Sequence, residues 1–245
     1  MTLIPLNAAN ADQVLLPGDI LIKLLADEGR WTSRLISLGE NATQFFDSAL
    51  NAAVAKGDPS AVHMALYAGD GETSEAHGGS LSTACVGMRR IAEHAGFIFE
   101  VFRPVDHELA ASAVQTAKAW ANGTMKYEIP VLVPLSSSSF GPEARREALI
   151  FGRDALRTGG PSGYDKMFCS QFVIAAYQAA VIAPQLRDDP NLAPDAIKMP
   201  FALMLQASHA SPLVVEGLLR EAVENELNGG WTFIGKIAVG ADASA

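Results

Sequence analysis

Three side chains in this sequence have the chemistry of a nucleophile, a base and an orienting group. Cys169 lies in Phe168-Cys169-Ser170-Gln171-Phe172, at the start of a stretch with helical periodicity. Far upstream, His63 precedes the turn Gly69-Asp70-Gly71, and Glu75 follows that turn. A thiol at a helix start, with an imidazole and a carboxylate on a hairpin, is suited to attack an acyl carbon and form an acyl-cysteine.

The position of Cys169 on its helix favours a reactive thiol. Cys169, Phe172 and Val173 are spaced by three and four residues, so the sulfur shares the face that buries the helix against a sheet. Backbone N–H groups of the first turn and the helix dipole favour a thiolate, and the same N–H groups can hold an oxyanion. A buried structural cysteine is the simpler alternative.

Cross-strand geometry brings a carboxylate to His63. In a hairpin centred near Asp70, residues whose numbers sum to about 138 to 140 are opposite each other, which brings residues 75–77 to His63. Of these, Glu75 and His77 have the parity that places them on the same face as His63. We predict that Glu75 orients the imidazole and stabilises its protonated form.

Other roles for these residues stay open. His63 alone is typical of a hydrogen-bonded core histidine, and the other histidines are given that role. His63, His77 and Glu75 are a conceivable ligand set for iron or zinc, but they would have to converge from one hairpin. We therefore expect no metal and no cofactor. No Gly-x-Ser-x-Gly motif occurs, which disfavours a serine hydrolase.

The chain alternates between strand and helix patterns. Short apolar or alternating runs predict strands at residues 19–22, 62–68, 73–77, 97–104 and 231–239. Helical periodicity predicts helices at about residues 31–56, 107–121, 143–156, 168–181, 197–206 and 212–227. Prolines, serines and glycines mark residues 129–163 as an insertion or lid, and a second insertion is expected at about residues 24–60.

Composition restricts the class of protein and of partner. The chain has 245 residues with 49% hydrophobic and 18% charged side chains, which suffices for one domain over residues 1–245. A net charge of -9 without a run of basic residues argues against a nucleic-acid partner and favours an uncharged, amphiphilic or cationic substrate. Two cysteines, Cys85 and Cys169, are too few for a disulfide framework and suit a reducing compartment.

None of the apolar segments has the sequence features of a membrane anchor. No basic residue precedes Lys23, and polar residues interrupt the first apolar ones, so a cleaved signal peptide is not expected. Residues 167–186 lack charge but contain Ser, Gln and Pro, which favours a buried helix over a transmembrane one. We expect a cytoplasmic location, or export without a cleaved leader.

Three sequence blocks together resemble the NlpC-type papain-like superfamily of cysteine hydrolases. They are Leu15-Leu16-Pro17-Gly18-Asp19, then His63-Met64-Ala65-Leu66-Tyr67-Ala68-Gly69-Asp70-Gly71 with Glu75-Ala76, and finally Phe168-Cys169-Ser170-Gln171-Phe172-Val173. Members with the ordinary order carry the cysteine block first. The order here is similar to the circularly permuted branch of YiiX-like proteins and lecithin:retinol acyltransferase relatives.

The resemblance implies a permuted papain-like α+β fold, in which a central antiparallel sheet packs against the nucleophile helix and helical insertions are added. It implies Cys169 as nucleophile, His63 as general base and Glu75 as orienting residue. The implied activity is that of a bacterial thiol hydrolase acting on a cell-wall peptide, or of an esterase or acyltransferase acting on a lipid acyl group. A small amphiphilic, lipid or peptide substrate is expected. A non-catalytic binding module on the same fold is the alternative.

Overall fold

The computed structural model describes residues 3–25, 56–77, 85–121, 126–127, 140–157, 166–226 and 230–240. Along the chain these form β1 (Ile4–Leu6), α1 (Ala11–Val14), β2 (Ile20–Leu24), β3 (Ala61–Gly69), β4 (Glu72–His77), β5 (Cys85–Arg90), β6 (Ile98–Pro104), α2 (His107–Ala121), β7 (Lys126–Tyr127), α3 (Pro142–Arg157), β8 (Lys166–Met167), α4 (Cys169–Asp188), α5 (Pro212–Glu224) and β9 (Trp231–Val239). The fold class is α+β, as the sequence predicts.

The described strands form one mixed sheet in the order β1-β9-β6-β2-β3-β4-β5-β7-β8. All neighbours from β9 to β7 are antiparallel. The two edge pairs, β1 with β9 and β7 with β8, are parallel. The antiparallel arrangement predicted for the sheet therefore holds at its centre, and the parallel edge pairs make the whole sheet mixed.

Both faces of the central strands are buried, because apolar side chains occupy alternate positions on each side. On β2, Ile20 and Ile22 belong to the larger core with the α4 residues Phe172 and Val173. The intervening Leu21 belongs to a second core on the other face. Strand β2 is therefore an apolar run rather than an alternating one, and the cysteine helix covers one face of the sheet.

The turn before β2 joins the sheet to the cysteine helix. Gly18 has a φ of +97°, and an added Cβ would lie 2.5 Å from the Cβ of Ala110, so glycine is needed both for conformation and for close packing. The buried Asp19 carboxylate accepts hydrogen bonds from the Leu16 N–H at 2.9 Å and from Arg103 Nε at 2.8 Å. Tyr177 Oη on α4 donates to the Gly18 carbonyl. The Tyr177 bond therefore ties α4 to the turn before β2.

The predicted hairpin is present, with β3 and β4 joined at the glycine turn. Gly69, Asp70 and Gly71 all have positive φ, at 89°, 57° and 68°. The register pairs Leu66 with Ser74 and Tyr67 with Thr73. Numbers that sum to 140 are thus opposite each other, within the range that the sequence predicts.

Helix α3 is part of the main core. Phe151 packs against Trp120 of α2 with ring centroids 6.2 Å apart, and Gly152 lies against Ile182 of α4. The sequence places this helix correctly, at residues 143–156 within the segment interpreted as a lid. Its burial means that it is not a cover that could be removed without opening the core. The rest of that segment, residues 129–139 and 158–163, lies outside the described residues. The helix predicted from residue 31 also lies outside them, apart from Lys56.

One predicted helix is absent, and the sequence pattern also misses a strand and the true end of the cysteine helix. Residues 197–206 do not form a helix, because Pro200 interrupts the pattern and a single 3-10 turn, Phe201–Leu203, follows it. The carbonyls of Leu203 and Leu205 accept hydrogen bonds from the Gln178 side chain at 2.9 and 2.7 Å instead of from a helical backbone. Strand β5 is not predicted at all. The cysteine helix is also longer than expected and continues through Pro184 to Asp188.

Candidate active site

His63 and Glu75 are in direct contact on the β3–β4 hairpin. The distance from His63 Nε2 to Glu75 Oε2 is 2.7 Å. Continuing the register, the residue opposite Glu75 is Ala65, so His63 reaches Glu75 from the diagonal position. The pairing of β2 with β3 becomes irregular between Lys23 and Leu24, beside His63. Such irregularities are common next to functional sites because they redirect a side chain.

The imidazole of His63 also interacts with Cys169. Burial opposes the charged form of His63, but the charge interactions and hydrogen bonds with Cys169 and Glu75 raise its pKa to about 10. Because Nε2 is bonded to Glu75, Nδ1 is the ring atom left for the sulfur. The His63 side chain is 18% exposed, whereas Cys169 is only 4% exposed. The base is therefore the more accessible member of the pair.

Cys169 begins helix α4, as the sequence predicts. The Phe172 N–H donates to the Phe168 carbonyl at 3.0 Å, which starts the helical ladder after the cysteine. Within the described residues, no side chain caps this helix start. The first-turn N–H groups lack intrahelical partners, so they are placed to stabilise negative charge at and beside the sulfur.

Glu75 is completely buried and held as an anion. Burial alone would raise its pKa, but the charge and hydrogen bond of His63, together with the positive charge of Arg89, lower the pKa to about 2. Glu75 Oε1 lies 3.3 Å from Arg89 Nη1 and 3.5 Å from His94 Nε2. The carboxylate is therefore paired on both oxygens. The site holds one anion in the sheet and a second ionisable group at the helix start, with His63 between them.

Arg89 and His94 are neighbours of the site that the sequence patterns do not predict. Arg89 lies on β5, which lacks a clear strand pattern because Gly87 and two arginines dilute its apolar positions. The sequence predicts a core role for His94, and the side chain is buried, yet its Nε2 faces the Glu75 carboxylate. A strand predicted after β4 would indicate, from the alternation of side chains, that Arg89 shares the face of Thr73 and Glu75.

A second thiol lies beside the site. Cys85 Sγ is 3.6 Å from His77 Nε2, and the two residues are opposite each other on β4 and β5. Burial lowers the pKa of His77, and the nearby Glu75 charge only partly opposes this effect. His77 is thus favoured as a neutral imidazole, in contrast to His63. Both cysteines are free thiols.

The described residues contain no cluster of three or more His, Cys, Asp or Glu side chains arranged to hold a metal ion. His63, His77 and Glu75 consequently do not form the ligand set that the sequence left open. Among the helices of the described segments, none has the length and apolar character needed to cross a membrane.

Comparison of the chain with protein-family models, with curated proteins and with solved structures found no match.

Proposed function

We propose that this protein is a cysteine-dependent acyl hydrolase, or acyltransferase, with Cys169 as nucleophile, His63 as base and acid, and Glu75 as orienting residue. The observation that carries the proposal is that one imidazole lies 2.7 Å from a buried carboxylate and also interacts with the Cys169 sulfur. The two anionic groups favour the imidazolium form of His63, as its raised pKa indicates. This arrangement supports an imidazolium held between the Cys169 sulfur and the Glu75 carboxylate.

The arrangement supports a two-step reaction. The Cys169 sulfur attacks the acyl carbon, and its C–S bond forms while backbone N–H groups at the start of α4 stabilise the oxyanion. His63 gives its proton to the leaving amine or alcohol as the bond between the acyl carbon and that leaving group breaks. An acyl-cysteine remains. Water or another acceptor then gives its proton to His63 and attacks the acyl carbon, and the C–S bond breaks. Glu75 keeps the imidazole oriented through both steps.

We also propose that the fold is the circularly permuted papain-like arrangement. Support comes from the order of the three blocks and from an antiparallel sheet centre that packs against the helix beginning at Cys169. The proposed substrate is a small amphiphilic molecule with an amide or ester bond, either a lipid acyl compound or a cell-wall peptide.

The test combines covalent labelling with turnover. The full chain is treated with iodoacetamide at neutral pH, and modified peptides are assigned by mass spectrometry. Turnover is measured with a long-chain acyl ester and an acyl-peptide. We expect Cys169→Ala and His63→Ala to lower kcat by about 10³-fold or more, since both reacting groups act as one unit. Labelling of Cys169 should also slow in His63→Ala, because the thiolate loses its imidazolium partner.

Cys85→Ala is the matched control, because Cys85 also contacts a histidine but stands opposite it on the neighbouring strand. This variant should retain turnover and the labelling of Cys169. Loss of turnover in Cys85→Ala, with an active Cys169→Ala, would show that Cys85 and not Cys169 is the nucleophile. A folded parent that binds acyl compounds without labelling at Cys169 or turning them over would instead indicate a binding module.

A further inference from the structure

Glu75 is approached from two sides by residues on its neighbouring strands. The positions directly opposite it are Ala65 in the continued β3 register and Gly87 on β5. Because neither side chain is large, the longer diagonal neighbours His63 and Arg89 reach the carboxylate. His63 bonds Oε2 at 2.7 Å, and Arg89 Nη1 lies 3.3 Å from Oε1.

Arg89 is itself held from the surface side. Its Nε and Nη2 atoms each lie 3.1 Å from Glu93 Oε2. Glu93 is exposed, and its Oε1 accepts the Arg90 N–H at 3.1 Å. The guanidinium thus connects a fixed surface carboxylate to the buried Glu75, which limits the directions in which Glu75 can rotate.

His94 supplies a second, uncharged contact to the same oxygen. Thr73 Oγ1 donates to the Arg89 carbonyl at 3.3 Å, so its oxygen is left to accept from His94 Nε2 at 3.4 Å. This bond requires a proton on Nε2, which then also faces Glu75 Oε1 at 3.5 Å. The ring is fixed by edge-on packing against Phe99, with centroids 5.4 Å apart.

Electrostatics favours the neutral form of His94. Burial lowers its pKa to about 4, and although the Glu75 charge opposes this, the positive charges of His63, Arg89 and Lys23 add to it. A neutral imidazole adds a directed donor without adding a second full positive charge beside His63. The two contacts to Glu75 Oε1 therefore differ in kind, since one is charged and the other is not.

We propose that Arg89 and His94 are positioning residues that hold Glu75 Oε1, so that Oε2 remains on His63 Nε2 and the imidazole stays aimed at Cys169. The inference rests on the proposed function for its catalytic consequence, although the geometry of His63 can be tested without turnover. Arg89 contributes charge and His94 contributes direction. Neither residue reaches the reacting atoms.

The experiment uses ring-nitrogen NMR of His63 and steady-state kinetics of the full chain with the acyl ester. Arg89→Gln and His94→Leu should each lower kcat about tenfold with little change in KM, and each should shift the His63 Nε2–H resonance. Arg89→Lys and His94→Gln, which keep the charge and a donor respectively, should recover part of both effects. Arg90→Gln is the control, because Arg90 follows Arg89 and the substitution keeps the backbone N–H that donates to Glu93.

Unchanged kcat and an unchanged His63 resonance in both Arg89→Gln and His94→Leu would overturn the proposal. If His94→Leu fails to fold, Arg89→Gln and His94→Gln decide the matter alone. A parent without turnover whose His63 resonance still shifts in the Arg89 and His94 variants would refute the proposed activity and support the positioning. A parent with turnover whose His63 resonance does not change in the Arg89 and His94 variants would support the proposed activity and refute the positioning.

Discussion

Glu75 faces hydrogen-bond donors on both carboxylate oxygens, which changes what its replacement by glutamine should do. From the sequence alone, Glu75→Gln is expected to keep partial activity because an amide oxygen can still accept from His63. In the structure, an amide oxygen on His63 turns the amide NH2 toward Arg89 and His94, which are themselves donors. Two donors facing each other in a buried site are left unsatisfied.

We therefore predict that Glu75→Gln loses about 10²-fold in kcat, near the lower end of the contribution of acid–base catalysis. Glu75→Asp should lose less, because it keeps the charge and two acceptors at a shorter reach. Both values come from initial rates with the acyl ester, with circular dichroism as the folding control. A Glu75→Gln variant within threefold of the parent would show that the second oxygen does not need its donors.

The part of the site that the sequence predicts is the part set by the alternation of side chains along the hairpin. The partnership of His63 with Glu75 follows from a local turn and a period of two, so both residues were predictable. Their contact with Cys169 depends on packing across a long stretch of chain, and it was reached only through the resemblance. Arg89 and His94 were missed because an undetected strand and a 3-10 turn bring them to Glu75.

The contact between α3 and α4 belongs to the scale of whole elements. A Cβ added at Gly152 would lie 2.5 Å from Ile182 Cγ2 and 2.8 Å from its Cβ. The glycine thus allows the two helices to approach closely. On an isolated helix, replacing glycine by alanine stabilises by up to about 1 kcal/mol, so the sign of the effect here reports on packing.

We predict that Gly152→Ala destabilises the protein by about 1–3 kcal/mol, because overpacking outweighs the better helix propensity. Ile182→Ala should cost about 2–5 kcal/mol through the cavity it leaves. The double variant should be more stable than the sum of the two losses predicts, since the new methyl group occupies part of that space. Urea unfolding measures all three. A stabilised Gly152→Ala would contradict the close approach.

Elements were predictable where the pattern is long and regular. Helices α2 and α3 were placed within a residue or two, because their apolar faces repeat over several turns. The segment at 197–206 is apolar enough to suggest a helix, but Pro200 and the side chain of Gln178 stabilise an irregular chain there. The carbonyls of that segment are satisfied by a neighbouring helix, which no local pattern reveals.

At the scale of the whole molecule, a buried charge network joins elements that lie far apart in sequence. Arg220 on α5 contacts Glu100 on β6 and Glu216 on its own helix. Lys236 on β9 lies 3.0 Å from Glu100, and the Asp58 N–H donates to Glu216 at 2.8 Å. Both glutamates are fully buried. The network therefore holds α5, the sheet and the segment before β3 together.

Two buried carboxylates near one guanidinium make the network sensitive to pH. Burial, together with the hydrogen bond and charge of Glu100, raises the pKa of Glu216 to about 8, although Arg220 and the Asp58 N–H oppose this. The folded protein then binds more protons than the unfolded chain between the ordinary pKa of a glutamate and about 8. Stability contributed by the protonated group is lost as the pH rises through this window.

We predict that Glu216→Gln reduces the loss of unfolding free energy between pH 6 and pH 8 by about 1–2 kcal/mol. The neutral amide can still accept from the Asp58 N–H and donate to Glu100, and it carries no charge at any pH. Urea unfolding of both proteins across this range measures the difference in slope.

Glu221→Gln is the matched control on the same helix, since Glu221 pairs with Lys56 rather than with a buried acid. Deprotonation of His63 toward pH 10 affects all three proteins equally and cancels in the comparison. Parallel slopes for the parent and Glu216→Gln would mean that Glu216 is charged throughout the range and that Arg220 neutralises both acids.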